Sequence, residues 1–416
     1  MFKAKIKQFI NSQKFLGYLI ALVLSTILIG FAPSSIALGI FVFFSIRYFI
    51  IHKQKLKIDS NLLLPIALYF LFFITLFWSV DIDQTKKGLA RTVVLILVPI
   101  AFNLIPKFTL KSFYLIFRIF TGTNILLGIF FLISAFIRYT ESFSLGVFTY
   151  HELVSDLELN AIYVSVIFSI SLFYLLSKKT KTFQDNFKIV FFIILGFLLS
   201  SKLMLIILAV AILVYMFSFR VNRVKLVYLI IMGTVIVYLA PKKLMERFLF
   251  EKETKIEEVW TKKEFGHVYL WTGTSIRLLQ LRILKDQLKE EAIFWKGFGL
   301  YASRDNTLKR HIKFNTYPGF HTYNYHNQYA QIFSETGIFG LGLLLGMLGI
   351  LFVNALNSKD FLFIMFSITI TFVFFTETFL WRQTGLFLFI ILYSLLNRTV
   401  FENEVVKINN RNIKRE

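Results

Sequence analysis

The chain has 416 residues, of which 56% are hydrophobic and only 17% charged, with 51 Phe and no Cys. A soluble domain carries about 25% charged residues, so this composition excludes a soluble enzyme, a disordered chain and a disulfide-stapled secreted domain, and with them thiol catalysis and cysteine metal sites. The net charge of +22 would suggest nucleic acid in a soluble protein, but in a membrane protein it points first to the positive-inside bias, so its distribution decides its meaning.

A membrane span needs about 20 mostly apolar residues. Runs of that kind lie near residues 15–32, 36–51, 62–79, 89–105, 113–137, 159–177, 226–240, 336–356, 361–377 and 384–397. The N-terminus imitates a secretion signal, with Lys3, Lys5, Lys7 and Lys14 before an apolar run that ends at Pro33-Ser34-Ser35-Ile36-Ala37. The many later spans favour an uncleaved first helix. Between Lys188 and Phe219 the apolar run is too long for one span without strong tilt, since a helix rises about 1.5 Å per residue. The alternative is two short tilted spans meeting at Ser200-Ser201-Lys202.

Loop charge chooses between these readings. With two spans there and a cytoplasmic N-terminus, the inside segments hold about 23 Lys/Arg and the short outside loops about six, a strong positive-inside bias. The expected fold is therefore an all-α polytopic membrane protein with about twelve transmembrane helices, both termini cytoplasmic. Residues 1–240 form an N-terminal bundle of about nine spans, 241–330 an outside loop domain, 331–397 about three further spans, and 398–416 a basic cytoplasmic tail.

The loop domain is far longer than the usual connection. Trp260, Trp271 and Trp295 and many Tyr and Phe argue for packed structure. Ser275 is placed to cap a helix from Ile276 to about Ala292, with Leu278, Leu281, Leu284 and Leu288 at helical spacing. The loop holds 16 Lys/Arg against ten Asp/Glu; long loops escape the charge rule, so this excess needs its own cause.

Five histidines fall outside: His151, His267, His311, His321 and His326. No spacing among them suggests zinc. His326 differs in its neighbourhood, because the polar, aromatic run Tyr323–Gln331 leads straight into a membrane helix. Histidine is the side chain whose ordinary pKa suits a general base near neutral pH. Glu335 sits at the mouth of the same helix. Gly337, Gly340, Gly342, Gly346 and Gly349 follow at spacings that suit close helix packing. Lys202, in the break of the long apolar run, either snorkels or faces an anionic lipid headgroup. Arg277 and Arg282 either line a solvated helix face or offer guanidinium forks to phosphate. There is no P-loop, HExxH or GxSxG.

In order along the chain, Trp78-Ser79-Val80-Asp81 follows the third span. Ser200-Ser201-Lys202 precedes a membrane helix, and Ser275-Ile276-Arg277 opens the loop helix. Gly297-Phe298-Gly299 comes about twenty residues later. His326-Asn327-Gln328-Tyr329 then leads to Glu335-Thr336-Gly337-Ile338-Phe339-Gly340, with Glu377, Arg382, Gln383 and Gly385 near the final span. These features resemble the O-antigen ligase and O-antigen polymerase family of bacterial envelope proteins, with motifs matching over about 200–385. Position 202 departs from the family's usual Arg, which keeps the charge and loses the bidentate fork.

The resemblance implies a GT-C-like, metal-independent, inverting glycosyltransferase with no cofactor. It implies a polyprenyl-diphosphate-linked glycan donor, typically undecaprenyl, used on the periplasmic face of the inner membrane. The acceptor is the lipid A core for a ligase or a second lipid-linked glycan for a polymerase. Arg277 and Lys202, with Arg382, would hold the donor diphosphate; His326 would take the acceptor proton; Asn327, Glu335 and Arg282 would support them. Ligase-type transfer is the first expectation and polymerase the second. A lipid-linked glycan flippase is the rival from another class, disfavoured by the lack of matching broken helices in two halves. No nucleic acid is expected.

Overall fold

The computed structural model describes residues 2–199, 202–219, 249–266 and 268–401. The apolar run near 226–240, the basic loop 220–225, the tail from 402 onward, Ser200-Ser201 and His267 lie outside the described residues.

Among the described residues the fold is all-α apart from one two-residue parallel pairing, Phe108 beside Thr399 and Thr109 beside Val400. The N-terminal part runs α1 (Phe2–Ile10), α2 (Gln13–Thr26), α3 (Phe31–Ile51), α4 (Leu63–Ile74), α5 (Ile82–Thr92), α6 (Val94–Asn103), α7 (Leu110–Ser142), the short α8 (Tyr150–Leu153) and α9 (Ala161–Ser177). Then come α10 (Phe183–Leu198) and α11 (Lys202–Phe219). The loop domain carries α12 (Ile256–Thr261), α13 (Gly273–Glu290) and α14 (Arg304–Lys313), and α15 (Gln328–Ser358), α16 (Phe361–Thr376) and α17 (Gln383–Asn397) close the chain. Helix starts follow local chemistry. Ser12, Asp81, Thr109, Asn160, Thr182, Asn327 and Asp360 each accept a hydrogen bond from an amide of the first turn they precede, removing one orphan donor at each start.

Among the described residues four helical stretches are long and apolar enough to cross a membrane: Phe31–Ile51, Ser60–Phe77, Leu110–Ser142 and Gln328–Ser358. Apolar helices α2, α9, α11, α16 and α17 are shorter. The span expected at 89–105 begins inside the polar α5, which runs into α6 through Val93, itself helical in φ and ψ. Apolar all round, α9 is buried everywhere except Leu176, and α17 is buried from Gly385 to Asn397. A helix apolar on every face belongs in a core, and these two form the centre.

The long run 188–219 is a hairpin. The Lys181 ammonium, just before α10, donates to the Tyr215 hydroxyl near the end of α11, 3.2 Å away. The two helices therefore run antiparallel, as the two-span alternative requires. Two ends of the bundle are thereby defined. At one, Arg398 pairs with Asp59 at 3.3 Å and donates to the Ile105 carbonyl. At the other, Gln383 at the head of α17 donates to Ser35 near the start of α3, and Lys202 at the start of α11 pairs with Glu251 of the loop domain.

Candidate functional site

The described part of the segment between α11 and α15 has hydrophobic clusters of its own. Its main core joins Val259, Phe265, Ile276, Leu279, Ile283, Phe314 and Tyr325. Helix α13 starts three residues earlier than the sequence suggests. Thr272 is its cap and Ser275 completes a reciprocal capping box from the third position, as the Thr-x-x-Ser spacing allows. Its buried face is also turned. Ile276, Leu279, Gln280, Ile283 and Gln287 are buried, whereas Leu278, Leu281, Leu284 and Leu288 lie at the margin. Polar partners explain the rotation. Gln280 meets the His311 ring at 2.8 Å, and Gln287 accepts from the Tyr325 hydroxyl at 2.7 Å. Burial, with the nearby His321, pushes His311 down to about 4, so it is a neutral core histidine bonded to Gln280 and Thr316.

The Gly297-Phe298-Gly299 segment docks this unit on the bundle. Gly337 has φ +64 inside α15, where it breaks the helical path and frees carbonyls that the loop then satisfies. Phe298 and Gly299 amides donate to the Ser334 and Glu335 carbonyls, and the Ile338 amide donates back to Phe294, each at 2.9 Å. A Cβ at Gly297 would collide with the Glu335 carbonyl, and one at Gly337 with that of Trp295. The tetrapeptide after α4 completes the dock. The Trp78 indole donates to the Lys296 carbonyl, and the Val80 amide to the Phe298 carbonyl. This corrects the helix-packing account of the glycines. Of the five, Gly346 meets a neighbouring helix at Leu64, Gly342 and Gly349 meet nothing, and Gly337 serves a backbone exchange.

The chemistry gathers at the corner 375–382, between α16 and α17. Arg277, one turn into α13, donates from Nε to the Thr376 carbonyl at 3.1 Å, from Nη1 to the Gly273 carbonyl at 3.0 Å, and from Nη2 to Glu377 Oε1 at 3.1 Å. Glu377's other oxygen lies 3.8 Å from His326 Nδ1. Among the described residues that nitrogen has no hydrogen-bond partner. His326 has φ +45, a left-handed conformation that costs a non-glycine residue about 1 kcal/mol or more and gathers at functional sites. Asn327 caps α15 with its Oδ1 and ties it to the corner through Nδ2 and the Phe375 carbonyl, 3.2 Å apart. One buried carboxylate thus stands between a guanidinium and an imidazole from three separate chain segments.

Lys202 joins from the start of α11. Its ammonium is 3.0 Å from Glu251 Oε1. The same carboxylate accepts from the Gly273 and Thr274 amides at the start of α13, where the helix dipole favours a negative charge. Partial burial raises the Glu251 carboxyl, but the Thr274 hydrogen bonds and Lys202 outweigh it and hold the group below the ordinary carboxylate range. Lys202, Glu251, the start of α13, Arg277, Glu377 and His326 form one connected series.

The remaining expected residues divide. Arg382 is exposed at the head of α17, 5.8 Å from the Tyr163 ring centre. Glu335 points into a separate buried cluster, accepting from Gln331 at 2.6 Å and from the Trp381 indole at 3.4 Å. Arg282 holds the loop domain together, donating to the Val259 and Lys262 carbonyls at 2.7 Å and lying over Phe314. Sequence reasoning placed Glu377 only in a closing segment and missed Glu251. A buried acid at the exit of an apolar helix was the available signal for the first; Glu251 had none among ten loop acids. Among the described residues no three His, Asp or Glu side chains gather as a metal-binding set.

No curated protein matches the chain significantly. A family model described as O-antigen ligase matches residues 187–345, the stretch that carries Lys202, the loop domain with Arg277, and His326 on the threshold of α15. The Trp78–Asp81 and 377–385 segments fall outside that match, yet both fold onto it. Over residues 187–345, then, the chain is similar to the O-antigen ligase family.

Proposed function

We propose that the chain transfers a glycan from a polyprenyl-diphosphate donor to an acceptor hydroxyl, on the periplasmic face of the bacterial inner membrane, in a GT-C-like bundle of about twelve spans. The similarity of residues 187–345 to the O-antigen ligase family supports glycan transfer as the activity class. The observation that carries the mechanism is the Arg277–Glu377–His326 arrangement. With Glu377 facing Nδ1, the neutral imidazole carries its proton there and leaves Nε2 as the acceptor, the logic of a carboxylate-oriented histidine. The 3.8 Å separation closes on substrate binding, as hydrogen bonds at resting sites often do.

In the reaction the acceptor oxygen attacks the anomeric carbon in line, its proton passes to His326 Nε2, and the bond from that carbon to the diphosphate oxygen breaks. Single displacement inverts the anomeric centre. Three of the five Arg277 N–H groups are committed, and the remaining two, with Lys202 and Arg382, take up the charge on the departing diphosphate. Protein cations fill the role, so no metal ion is part of the scheme. Ligase-type transfer to a lipid A core is the first reading, with repeat-unit polymerisation on the same site as the second.

The test is a transfer assay with purified full-length protein and a defined lipid-linked donor. His326→Ala should cost about 100-fold or more in turnover, and Arg277→Ala should weaken donor use; wild-type-like turnover by His326→Ala removes the base. Gene deletion separates ligase from polymerase. Loss of all long chains from the core marks a ligase; a core with a single repeat marks a polymerase.

A further inference from the structure

A second site lies at the opposite end of the bundle from His326. There a cavity of about 930 Å³ opens among the starts of α2, α7 and α10 and the end of α9, in the size range of small-molecule sites. Five cations line it: Lys14, Lys111, Arg118, Lys178 and Lys179. The one carboxylate among the lining residues, Asp185, is committed to Lys178 at 2.7 Å and to the Thr182 amide at 3.0 Å. Three helix N-termini converge on the same space, with Gln13 opening α2, Lys111 and Ser112 in the first turn of α7, and Thr182 capping α10. Each brings the positive end of a helix dipole.

The positive-inside bias accounts for basic residues at one end of a bundle, but not for five around one cavity where three helices start. Apolar surface is present too. Tyr18, Tyr114, Leu115 and Tyr174 share the lining, and the Tyr174 hydroxyl is tied to the Tyr114 carbonyl at 3.3 Å. Tyrosines beside basic residues, at the level where apolar helices begin, are the chemistry of a lipid headgroup layer.

We propose that this cavity binds the phosphate of an anionic membrane lipid, its headgroup among Lys14, Lys111 and Arg118 and its upper chain against Tyr18 and Leu115. The proposal is independent of the glycan-transfer reading. The test is native mass spectrometry of the full chain in detergent, titrated with phosphatidylglycerol, phosphatidylcholine or inorganic diphosphate. Phosphatidylglycerol should be retained over phosphatidylcholine. Removing a charge should weaken retention by about fivefold, so Lys111→Gln with Arg118→Gln should weaken it by about 25-fold. Inorganic diphosphate alone should not compete. Equal retention of the two lipids, or unchanged retention in the double variant, overturns the proposal. Binding of diphosphate without phosphatidylglycerol overturns it in favour of a soluble anion. If the double variant does not purify, Lys14→Gln and Lys111→Gln singly carry the same expectation.

Discussion

Glu377→Gln separates the charge of the corner from its shape. The amide keeps an oxygen for Arg277 Nη2, 3.1 Å away in the native contact, and loses the charge facing His326. At the 3.8 Å between Glu377 Oε2 and His326 Nδ1, two unit charges interact by about 4 kcal/mol at an effective dielectric near 20 and about 1 kcal/mol in water. The His326 side chain is 26% exposed and that of Glu377 8%. The stabilisation of an imidazolium formed during transfer therefore lies between these limits, at about 2 kcal/mol, or about 30-fold in rate. The assay is kcat with a defined lipid-linked donor, alongside donor KM and a melting curve. Turnover should fall about 30-fold while KM moves by less than about threefold, because the lost interaction belongs to the transition state. In a His326→Ala background the same substitution should cost almost nothing, since the carboxylate acts through the ring. A full additional loss there, or a single variant within about threefold of wild type, refutes the orienting role.

Two further expectations concern how the loop domain is held. Gly297→Ala combines a collision with the Glu335 carbonyl and a φ of +66, so it should lower stability by about 3 kcal/mol and expose the loop to trypsin. Gly342→Ala, where a Cβ meets nothing, is the control and should be neutral or slightly stabilising; equal behaviour of the two variants refutes the docking account. The depressed Glu251 carboxyl contributes stability that is present above the ordinary carboxylate pKa of about 4.3 and lost as pH falls through its lower folded value. Hydrogen exchange at the start of α13 should therefore rise on acidification in the wild type. In Glu251→Gln it should already be raised at neutral pH and show no such step; the same acid step in the variant counts against the pairing.

Periodicity and charge carried much of the architecture. The antiparallel α10–α11 hairpin, with Lys181 on Tyr215, is the arrangement that loop charge favoured. His326 and Arg277, which the structure brings to the same carboxylate of Glu377, each stand out locally, one at the threshold of an apolar helix and one at the start of an amphipathic one. What sequence could not show is what long-range packing decides. The α13 face was misjudged because its buried side holds Gln280 and Gln287, polar residues whose partners His311 and Tyr325 lie beyond the helix. The glycines read as a helix-packing stripe because nothing local reveals that Phe298 and Gly299 supply the amides for a broken helix. Glu335 looked like part of the site from its position, but its side chain turns into a closed cluster with Gln331 and Trp381.

The pairing of each central cation with its own carboxylate bears on how a diphosphate would be chosen. Lys202 rests on Glu251 and Arg277 on Glu377, so neither cation faces the site as an uncompensated charge. A lone phosphate meeting one such pair gains little, because the attraction of the cation is offset by the adjacent acid. A diphosphate long enough to reach both pairs gains from two cations at once, and its second phosphate is already positioned when the first binds. The carboxylates also keep both long side chains ordered before the donor arrives, which lowers the entropy lost on binding. Glu251 is itself bonded to the start of the helix that carries Arg277, so the spacing of the two cations is set by the fold rather than by the ligand. On the proposed chemistry, discrimination for a lipid diphosphate over abundant soluble phosphate follows from that fixed spacing, and the acids contribute to it as much as the bases.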